Sequence, residues 1–248
     1  MIYGWKHELN ETAFNEDPIK ELLRLYQLIK EQFESDPKVK NACLDETVKL
    51  QSGNNESIKL WNQFKEITLS EAQKIYDRLA IKFDLTLGES FYHDQLGPLV
   101  DELLSTGIAE ISDDAVCIFS KNELEPKNDP LLVNRDSQWT PVPCMIRKKD
   151  GGFNYATTDI ATIDYRINEL GAERILYVVD DRQSLHFRQL FEVSRQRKIN
   201  TNLEHVSFGK ILGSDRKPFK TREGSVPDLS SVLDCLLYTS DAADESVG

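Results

Sequence analysis

The sequence predicts an α/β protein in which a helical first half precedes a second half built on a parallel sheet. From Asp17 to about Ile81, apolar residues recur at the spacing of amphipathic helices. From Pro141 onward, predicted strands alternate with predicted helices, which is the pattern that builds a parallel sheet. The segment ILYVV at 175–179 is an uninterrupted apolar run, as expected for a central strand covered on both faces.

The first half contains repeated signals for the start of a helix. Asp-Pro pairs at 17–18 and 36–37 supply an aspartate that can cap a helix and a proline suited to its first position. The segment SGNN at 52–55 interrupts the helical pattern, which then continues to about residue 81. Residues 1–82 are therefore predicted to form an antiparallel helical subdomain.

Residues 83–140 are predicted to connect this subdomain to the parallel sheet. We expect a short helix near 94–105, a β-hairpin around Asp113 and Asp114, and a polar connector over 120–140. Residues 141–234 follow as the half that contains the parallel sheet. Its predicted order of strand, helix, strand, helix and strand corresponds to PVPCMIRK, DIATIDYRINEL, RILYVVD, SLHFRQLFEVSRQR and LEHVSFGKIL.

Length, hydrophobic content and cysteine spacing limit the classes of protein to which this chain can belong. The 248 residues, 40% of them hydrophobic, suit one large domain or two small ones. No apolar run approaches the roughly 20 residues of a membrane helix, and the first residues lack the layout of a signal peptide. These two observations predict a cytoplasmic protein. The four cysteines lie far apart without a CxxC pair, which predicts reduced core thiols and no metal site: Cys43, Cys117, Cys144 and Cys235.

The chain is acidic overall, but one short segment of it is basic. A net charge of −12 argues against indiscriminate binding of nucleic acid, which needs clustered basic residues. One segment is nevertheless basic and opposed only by Asp215: Lys210, Arg216, Lys217, Lys220 and Arg222. It is either a site for an anionic ligand or a solvated turn, and charge alone favours the turn.

Four polar residues are predicted near the carboxyl ends of the strands, where α/β sheets bind ligands. Tyr155 is expected to end one strand and Asp159 to begin the next helix. Gln183 lies in the loop after ILYVV, and His186 lies in the first turn of the following helix. Each residue alone has an ordinary explanation as a cap, a loop residue or a core histidine. Together, and with the basic segment next in sequence, they favour a binding cleft.

Three segments carry a resemblance to a known family: YATTD, VVDDRQSLHF and PFKTREG. With their surroundings they resemble the second part of the catalytic domain of arginyl-tRNA synthetases, which are class I aminoacyl-tRNA synthetases. The resemblance extends over most of the chain, from Tyr3 to Asp234. It implies a Rossmann-like parallel sheet with a helical insertion in the first half, and the activity of an arginine–tRNA ligase.

The resemblance also assigns an arginine pocket. It implies that Tyr155, Asp159 and Gln183 contact the substrate arginine. Chemistry agrees, because a guanidinium keeps its charge and offers five donors, so a carboxylate beside a phenol oxygen selects it over lysine and over uncharged amino acids.

The resemblance further implies an ATP site without a bound prosthetic group. ATP is expected as a substrate, together with Mg²⁺, in contact with His186, Gly209 and Lys220. Lys220 and Arg222 would act catalytically by neutralising charge on the departing pyrophosphate. Related enzymes carry Met-Ser-Lys-Ser where this chain has Phe-Lys-Thr-Arg, so Thr221 occupies the place of the second lysine.

The chain is expected to be part of a longer enzyme. The family's His-Ile-Gly-His motif, its amino-terminal RNA-binding module and its carboxy-terminal anticodon-binding domain do not occur in the 248 residues. Residues 235–248 depart from the family in composition and are expected to be a disordered foreign tail. The isolated chain is predicted to be inactive, whereas the full-length enzyme is expected to be a monomer that binds arginine, ATP and tRNA.

Two other functions remain open at this point. One is a different class I synthetase or nucleotidyltransferase, which would share the basic segment but would not need the pair of Tyr155 and Asp159. The other is a noncatalytic synthetase-like module that binds tRNA or a protein partner. The upstream sequence would separate these, because it either encodes the His-Ile-Gly-His motif or does not.

Overall fold

The computed structural model describes residues 1–209 and 229–234. These residues divide into two compact units, one of 1–84 with 229–234 and the other of 85–209. The architecture is mixed α/β with a small parallel sheet, as the sequence predicts in outline. The finer division into 1–82, 83–140, 141–234 and 235–248 stays a prediction.

The first unit is helical, and its helices begin where the sequence signals place them. The carboxylates of Asp17 and Asp36 accept hydrogen bonds from backbone N–H groups in the first turns of the helices Pro18–Ser35 and Pro37–Gln51. Asn54, in the predicted break, caps the helix Asn55–Arg78, because its side-chain oxygen accepts from Ser57 N at 3.1 Å. The helices within residues 1–84 are α1 (Ile2–Glu8), α2 (Glu11–Glu16), α3 (Pro18–Ser35), α4 (Pro37–Gln51) and α5 (Asn55–Arg78).

A buried carboxylate joins the first three helices. Glu21 on α3 is 2% exposed and accepts from Asn10 N at 2.9 Å, at the start of α2. It also receives two hydrogen bonds of 2.7 Å from the guanidinium of Arg24, which in turn donates to the carbonyl of Glu8. These bonds to the charged form hold the pKa of Glu21 below its usual range.

Replacing Glu21 with glutamine should destabilise the chain measurably at neutral pH. The loss of charge-assisted hydrogen bonds should lower the free energy of unfolding by about 1–3 kcal/mol. Because the folded-state pKa is lowered, this contribution is present above the pKa of the unfolded chain and is lost as pH falls through the folded value. Urea denaturation at several pH values measures both effects.

The matched control is Glu71→Gln, because Glu71 forms an exposed ion pair of the same spacing with Lys74 at 2.6 Å. That variant should lose less than about 1 kcal/mol. Equal losses in the two variants, or a Glu21→Gln loss that stays constant into acid, would contradict the assignment of Glu21 as a buried structural charge.

The second unit contains three helices and seven strands. The helices are α6 (His93–Ser105), α7 (Tyr155–Asn168) and α8 (Ser184–Gln196). The strands are β1 (Glu110–Ser112), β2 (Ala115–Ile118), β3 (Leu132–Arg135), β4 (Gln138–Pro141), β5 (Cys144–Arg147), β6 (Arg174–Asp180) and β7 (Asn202–Phe208). None of the described helices is long and apolar enough to cross a membrane.

The core of the second unit lies among α6, α7, α8 and one face of the strands. Its fully buried side chains come from all of these elements: Val100, Leu103, Ile118, Ile146, Ile163, Leu190 and Val193. Cys117 and Cys144 are buried free thiols in this core, as predicted, and burial raises the pKa of Cys144 to about 12. Cys43, in the first unit, is a free thiol that is only partly buried, so its predicted place in a core is wrong, and Cys235 lies outside the described residues.

Two sequence predictions about the strands are wrong. β5 does not join the parallel sheet, because it pairs antiparallel with β2 and extends the hairpin of β1 and β2. The segment 120–140 is not only a connector, because it contains the antiparallel hairpin of β3 and β4. Asp136 and Ser137 form the two-residue turn of this hairpin, with φ of 50° and 66°. Asn-Gly is a usual sequence for a turn with two positive φ angles, so Asp-Ser made this hairpin harder to predict.

The parallel sheet consists of β6 and β7, registered from Arg174 opposite Asn202 to Asp180 opposite Phe208. The prediction that ILYVV is covered on both faces is wrong in the described chain. Ile175 and Tyr177 are buried, whereas Leu176 is 48% and Val178 is 66% exposed. Successive side chains of a strand point to opposite faces, and the core described above lies against one face only.

The exposed apolar side chains of this sheet form a surface that we call the open face: Leu176, Val178, Val206 and Phe208. We expect the isolated chain to associate with further copies as its concentration rises, because an apolar sheet face and strand edges that lack a described partner favour pairing. Val178→Asp should shift sedimentation velocity profiles toward the monomer.

Ile111→Asp is the control for that experiment, since Ile111 is 70% exposed on β1, outside the parallel sheet. It should leave the association unchanged. Restoring the flanking parts of the protein should abolish the association. A chain that stays monomeric at high concentration would contradict the role of the open face.

Candidate active site

Tyr155 and Asp159 both lie in α7, which corrects their predicted positions. Tyr155 is the first residue of the helix rather than the end of a strand, and Asp159 lies one turn later rather than at the helix start. The helix starts early because Asn154 adopts an extended backbone and donates its N–H to the carbonyl of Ile146 at 3.1 Å. The spacing of four residues places Tyr155 and Asp159 on one face.

Side-chain hydrogen bonds connect the start of α7 to β5. The side-chain amide of Asn154 donates to the carbonyl of Met145 at 3.1 Å. The hydroxyl of Thr157, which is fully buried, donates to the carbonyl of Ile146. Sequence reasoning passed over Asn154 and Thr157, although both are residue types that bond locally to backbone groups. Their contacts fix the position from which Asp159 projects.

The second element of the site follows β6. Asp180 ends the strand, and its carboxylate accepts from the backbone N–H of Arg182 at 2.8 Å and pairs with the Arg182 guanidinium. Asp181–Gln183 form one turn of 3₁₀ helix, and α8 begins directly afterwards. Gln183 is exposed, and His186 lies in the first turn of α8, as predicted.

The start of α8 is also held in place by side-chain contacts. The amide of Gln189 donates to the carbonyls of Pro130 and Val142, at 3.1 and 3.0 Å. The buried ring of Phe187 packs against the rings of Tyr177 and His205, each with a centroid separation of 4.8 Å. Burial raises the pKa of Tyr177 to about 12, so this phenol stays neutral beneath the site.

The central contact of the site joins α7 to α8. His186 Nε2 lies 2.6 Å from Asp159 Oδ2, and the two side chains are 28% and 32% exposed. An ionised carboxylate can only accept hydrogen bonds, so Nε2 carries the proton and donates it. The His186 ring stands edge-on to Phe187 at a centroid separation of 5.2 Å. Asp159 is therefore a half-buried carboxylate whose described partner is an imidazole.

The structure brings together some of the predicted site residues. Asp159 and His186 are hydrogen-bonded, and Tyr155 lies one turn from Asp159 and is 72% exposed. Neither Tyr155 nor Gln183 hydrogen-bonds to Asp159 within the described part of the chain. The last residue of β7, Phe208, lies opposite the last residue of β6, Asp180. Gly209 directly follows Phe208 and is therefore at the same edge of the sheet. Lys220 and Arg222 lie outside the described residues.

The opposite edge of the parallel sheet holds a different arrangement. A cavity of about 570 Å³ is lined there by residues that precede β6 and β7, among them Glu173 and Thr201. Arg197 binds both carboxylate oxygens of Asp164 at 2.8 and 2.9 Å in this cavity. The carboxylate of Asp164 is thus neutralised by an arginine, whereas that of Asp159 faces a histidine.

Fold and site together define a mixed α/β protein that gathers polar side chains at the carboxyl edge of a parallel sheet, the usual ligand edge of this class. Comparison with family models gives a match over residues 1–244 to tRNA synthetases class I (R), catalytic domain. The chain therefore belongs to the family of class I arginyl-tRNA synthetases, as its sequence motifs predict. The matched range ends inside the segment 235–248, whose departure from the family stays a prediction.

Individual relatives support the same family. The arginine–tRNA ligase of Psychromonas ingrahamii is 41% identical over 242 residues, which cover 94% of this chain and 39% of that protein. The arginine–tRNA ligase of Cellvibrio japonicus is 41% identical over 220 residues, covering 87% and 36%. The crystal structure of arginyl-tRNA synthetase from Plasmodium falciparum superposes with a TM-score of 0.62 at 28% identity, covering 85% and 33%. The chain thus spans less than two fifths of the length of these relatives.

Proposed function

We propose that the protein to which this chain belongs is an arginine–tRNA ligase, and that this chain supplies the arginine pocket and part of the ATP site. Arginine would react with ATP to give arginyl-adenylate and pyrophosphate, and the arginyl group would then pass to tRNA with release of AMP. The observation that carries the proposal is Asp159, a half-exposed carboxylate at the ligand edge that no described lysine or arginine neutralises.

The proposed arginine site uses the residues that the sequence singles out. Asp159 would pair with the guanidinium, the phenol oxygen of Tyr155 would accept one further hydrogen bond, and Gln183 would contact the amino acid from the start of α8. A guanidinium matches a carboxylate with two parallel hydrogen bonds, whereas an ammonium offers a compact charge without that fork. This difference would select arginine over lysine.

The proposed ATP site lies along the same edge. Gly209, directly after β7, would let the triphosphate approach the backbone closely, and Lys220 with Arg222 would act on the pyrophosphate group. ATP would be used as a substrate with Mg²⁺, without a prosthetic group. The assignment of His186 to ATP stays a prediction of the sequence, and the contact of His186 with Asp159 supports a different role.

The remaining parts of the proposal rest on family membership. The parallel pair of β6 and β7 would belong to a Rossmann-like sheet completed by the rest of the protein, with residues 1–82 as a helical insertion. The complete protein would be a cytoplasmic monomer that binds arginine, ATP and tRNA. The isolated chain would be inactive, because its 248 residues do not contain the His-Ile-Gly-His motif that cradles ATP phosphates in this family.

The complete protein provides the test. It should catalyse exchange of labelled pyrophosphate into ATP, or charging of tRNA, when arginine is present. Lysine and citrulline should fail, since lysine lacks the planar fork and citrulline lacks the charge. Equal exchange with citrulline, or exchange supported by an apolar amino acid instead, would overturn the proposed substrate. No exchange and no charging with any amino acid would indicate a noncatalytic module.

A further inference from the structure

The hydrogen bond between His186 and Asp159 gives His186 a role that the motifs of the sequence do not indicate. The two residues are 27 positions apart and come from different helices, and their side chains meet at 2.6 Å at the ligand edge of the sheet. Each is anchored separately, Asp159 through the first turn of α7 on β5 and His186 through α8 on the carbonyls of Pro130 and Val142. The contact is therefore set by two fixed elements.

We propose that His186 is a positioning residue for arginine recognition, which holds the carboxylate of Asp159 in the plane that receives the guanidinium. This inference rests on the proposed function, because it assumes that Asp159 binds arginine. A carboxylate has about four acceptor positions on its two oxygens. The Nε2 donor of His186 occupies one of those on Oδ2, so Oδ1 and the second position on Oδ2 remain for the two parallel donors of a guanidinium.

The choice of histidine has a chemical reason. In its neutral form an imidazole donates a hydrogen bond without adding charge, so the carboxylate remains a full counter-ion for the substrate. Arg197 shows the alternative within the same unit, because it binds both oxygens of Asp164, neutralises the charge and occupies one acceptor position on each oxygen. A lysine or arginine at position 186 would neutralise the carboxylate of Asp159 in the same way.

The packing of the imidazole supports a fixed orientation. The ring stands edge-on to Phe187, which is itself buried against Tyr177 and His205. A carboxylate held by such a donor is pre-organised, so less rotamer freedom is lost when substrate binds. Loss of the donor should therefore weaken arginine binding while leaving ATP binding intact.

The test uses the complete enzyme and the pyrophosphate exchange reaction. His186→Ala should raise KM for arginine by about five- to twentyfold, less than the loss of a direct charge-assisted hydrogen bond to the substrate, because His186 acts only through Asp159, and KM for ATP should change less than about twofold. His186→Gln should restore most of the affinity, because its amide nitrogen can donate from near the position of Nε2. Thermal unfolding confirms that each variant is folded.

A double-mutant cycle separates this role from a general structural one. If His186 acts through Asp159, His186→Ala should add little to the KM for arginine once Asp159 is asparagine. His205→Ala is the matched control, because His205 also packs on Phe187 but its Nε2 donates to the carbonyl oxygen of Val179 at 3.0 Å rather than to Asp159. It should leave the ratio of the two KM values unchanged.

Three outcomes would overturn the inference. A rise in KM for ATP alone after His186→Ala would support the ATP contact instead. Additive effects in the double mutant, or no recovery in a folded His186→Gln variant, would show that the imidazole does not act through the carboxylate. Failure of the proposed function would give a different result from failure of this inference, because Asp159→Asn by itself would then leave KM for arginine unchanged.

Discussion

Asp159→Asn in the complete ligase should raise KM for arginine roughly 10- to 100-fold, because charge-assisted hydrogen bonds contribute about 1.5–3 kcal/mol. Asparagine keeps the shape of the side chain but removes the charge and replaces one acceptor oxygen by a donor. The guanidinium would then meet an amide N–H₂ in place of an oxygen. KM for ATP should change little, since Asp159 would not contact ATP. Steady-state pyrophosphate exchange measures both constants.

Asp164→Asn is the matched control for that substitution. Asp164 lies on the same helix, five residues later, and its carboxylate is bound by Arg197 at the opposite edge of the sheet. The control removes the same charge from α7 but should leave KM for arginine within about threefold of the parent, at some cost in stability. Equal rises in both KM values after Asp159→Asn would remove the basis for the arginine pocket.

Lys220→Ala should lower the rate of adenylate formation on the order of 100-fold or more, the scale seen when one donor to a developing charge is removed. KM for arginine should remain nearly unchanged. The reason is that the ammonium would interact most strongly with the pyrophosphate as its charge develops, so its effect belongs to the transition state rather than to bound substrate. Rapid-quench measurement of adenylate formation in the complete enzyme gives this rate directly.

Arg222→Ala provides the companion measurement. If the two cations act as one unit, each single variant should be nearly as impaired as the double variant, and the effects should not add. A silent Lys220→Ala beside a strongly impaired Arg222→Ala would move the catalytic role to the arginine. Lys217→Ala, in the same basic segment, is the control and should alter the rate much less.

In the candidate site, the sequence predicted the individual residues but not the contacts between them. Short motifs are local, so YATTD and VVDDRQSLHF sufficed to indicate the family and to single out Tyr155, Asp159, Gln183 and His186. The hydrogen bond between Asp159 and His186 joins residues 27 positions apart. It depends on the packing of α7 against α8, which no local pattern encodes. The supporting contacts of Thr157 and Gln189 were missed for the same reason, because their partners are backbone carbonyls of distant strands and loops.

By itself, the sequence determined the family, the helix starts at Asp17 and Asp36, the hairpin turn at Asp113 and Asp114, and the α/β class. These features depend on residues within a few positions of one another, through capping, turn conformation and periodicity. Only the tertiary structure decided that β5 pairs antiparallel with β2 and that one face of β6 is exposed. Strand partners and face coverage are set by contacts between distant segments, and an apolar run such as ILYVV is compatible with one covered face or two.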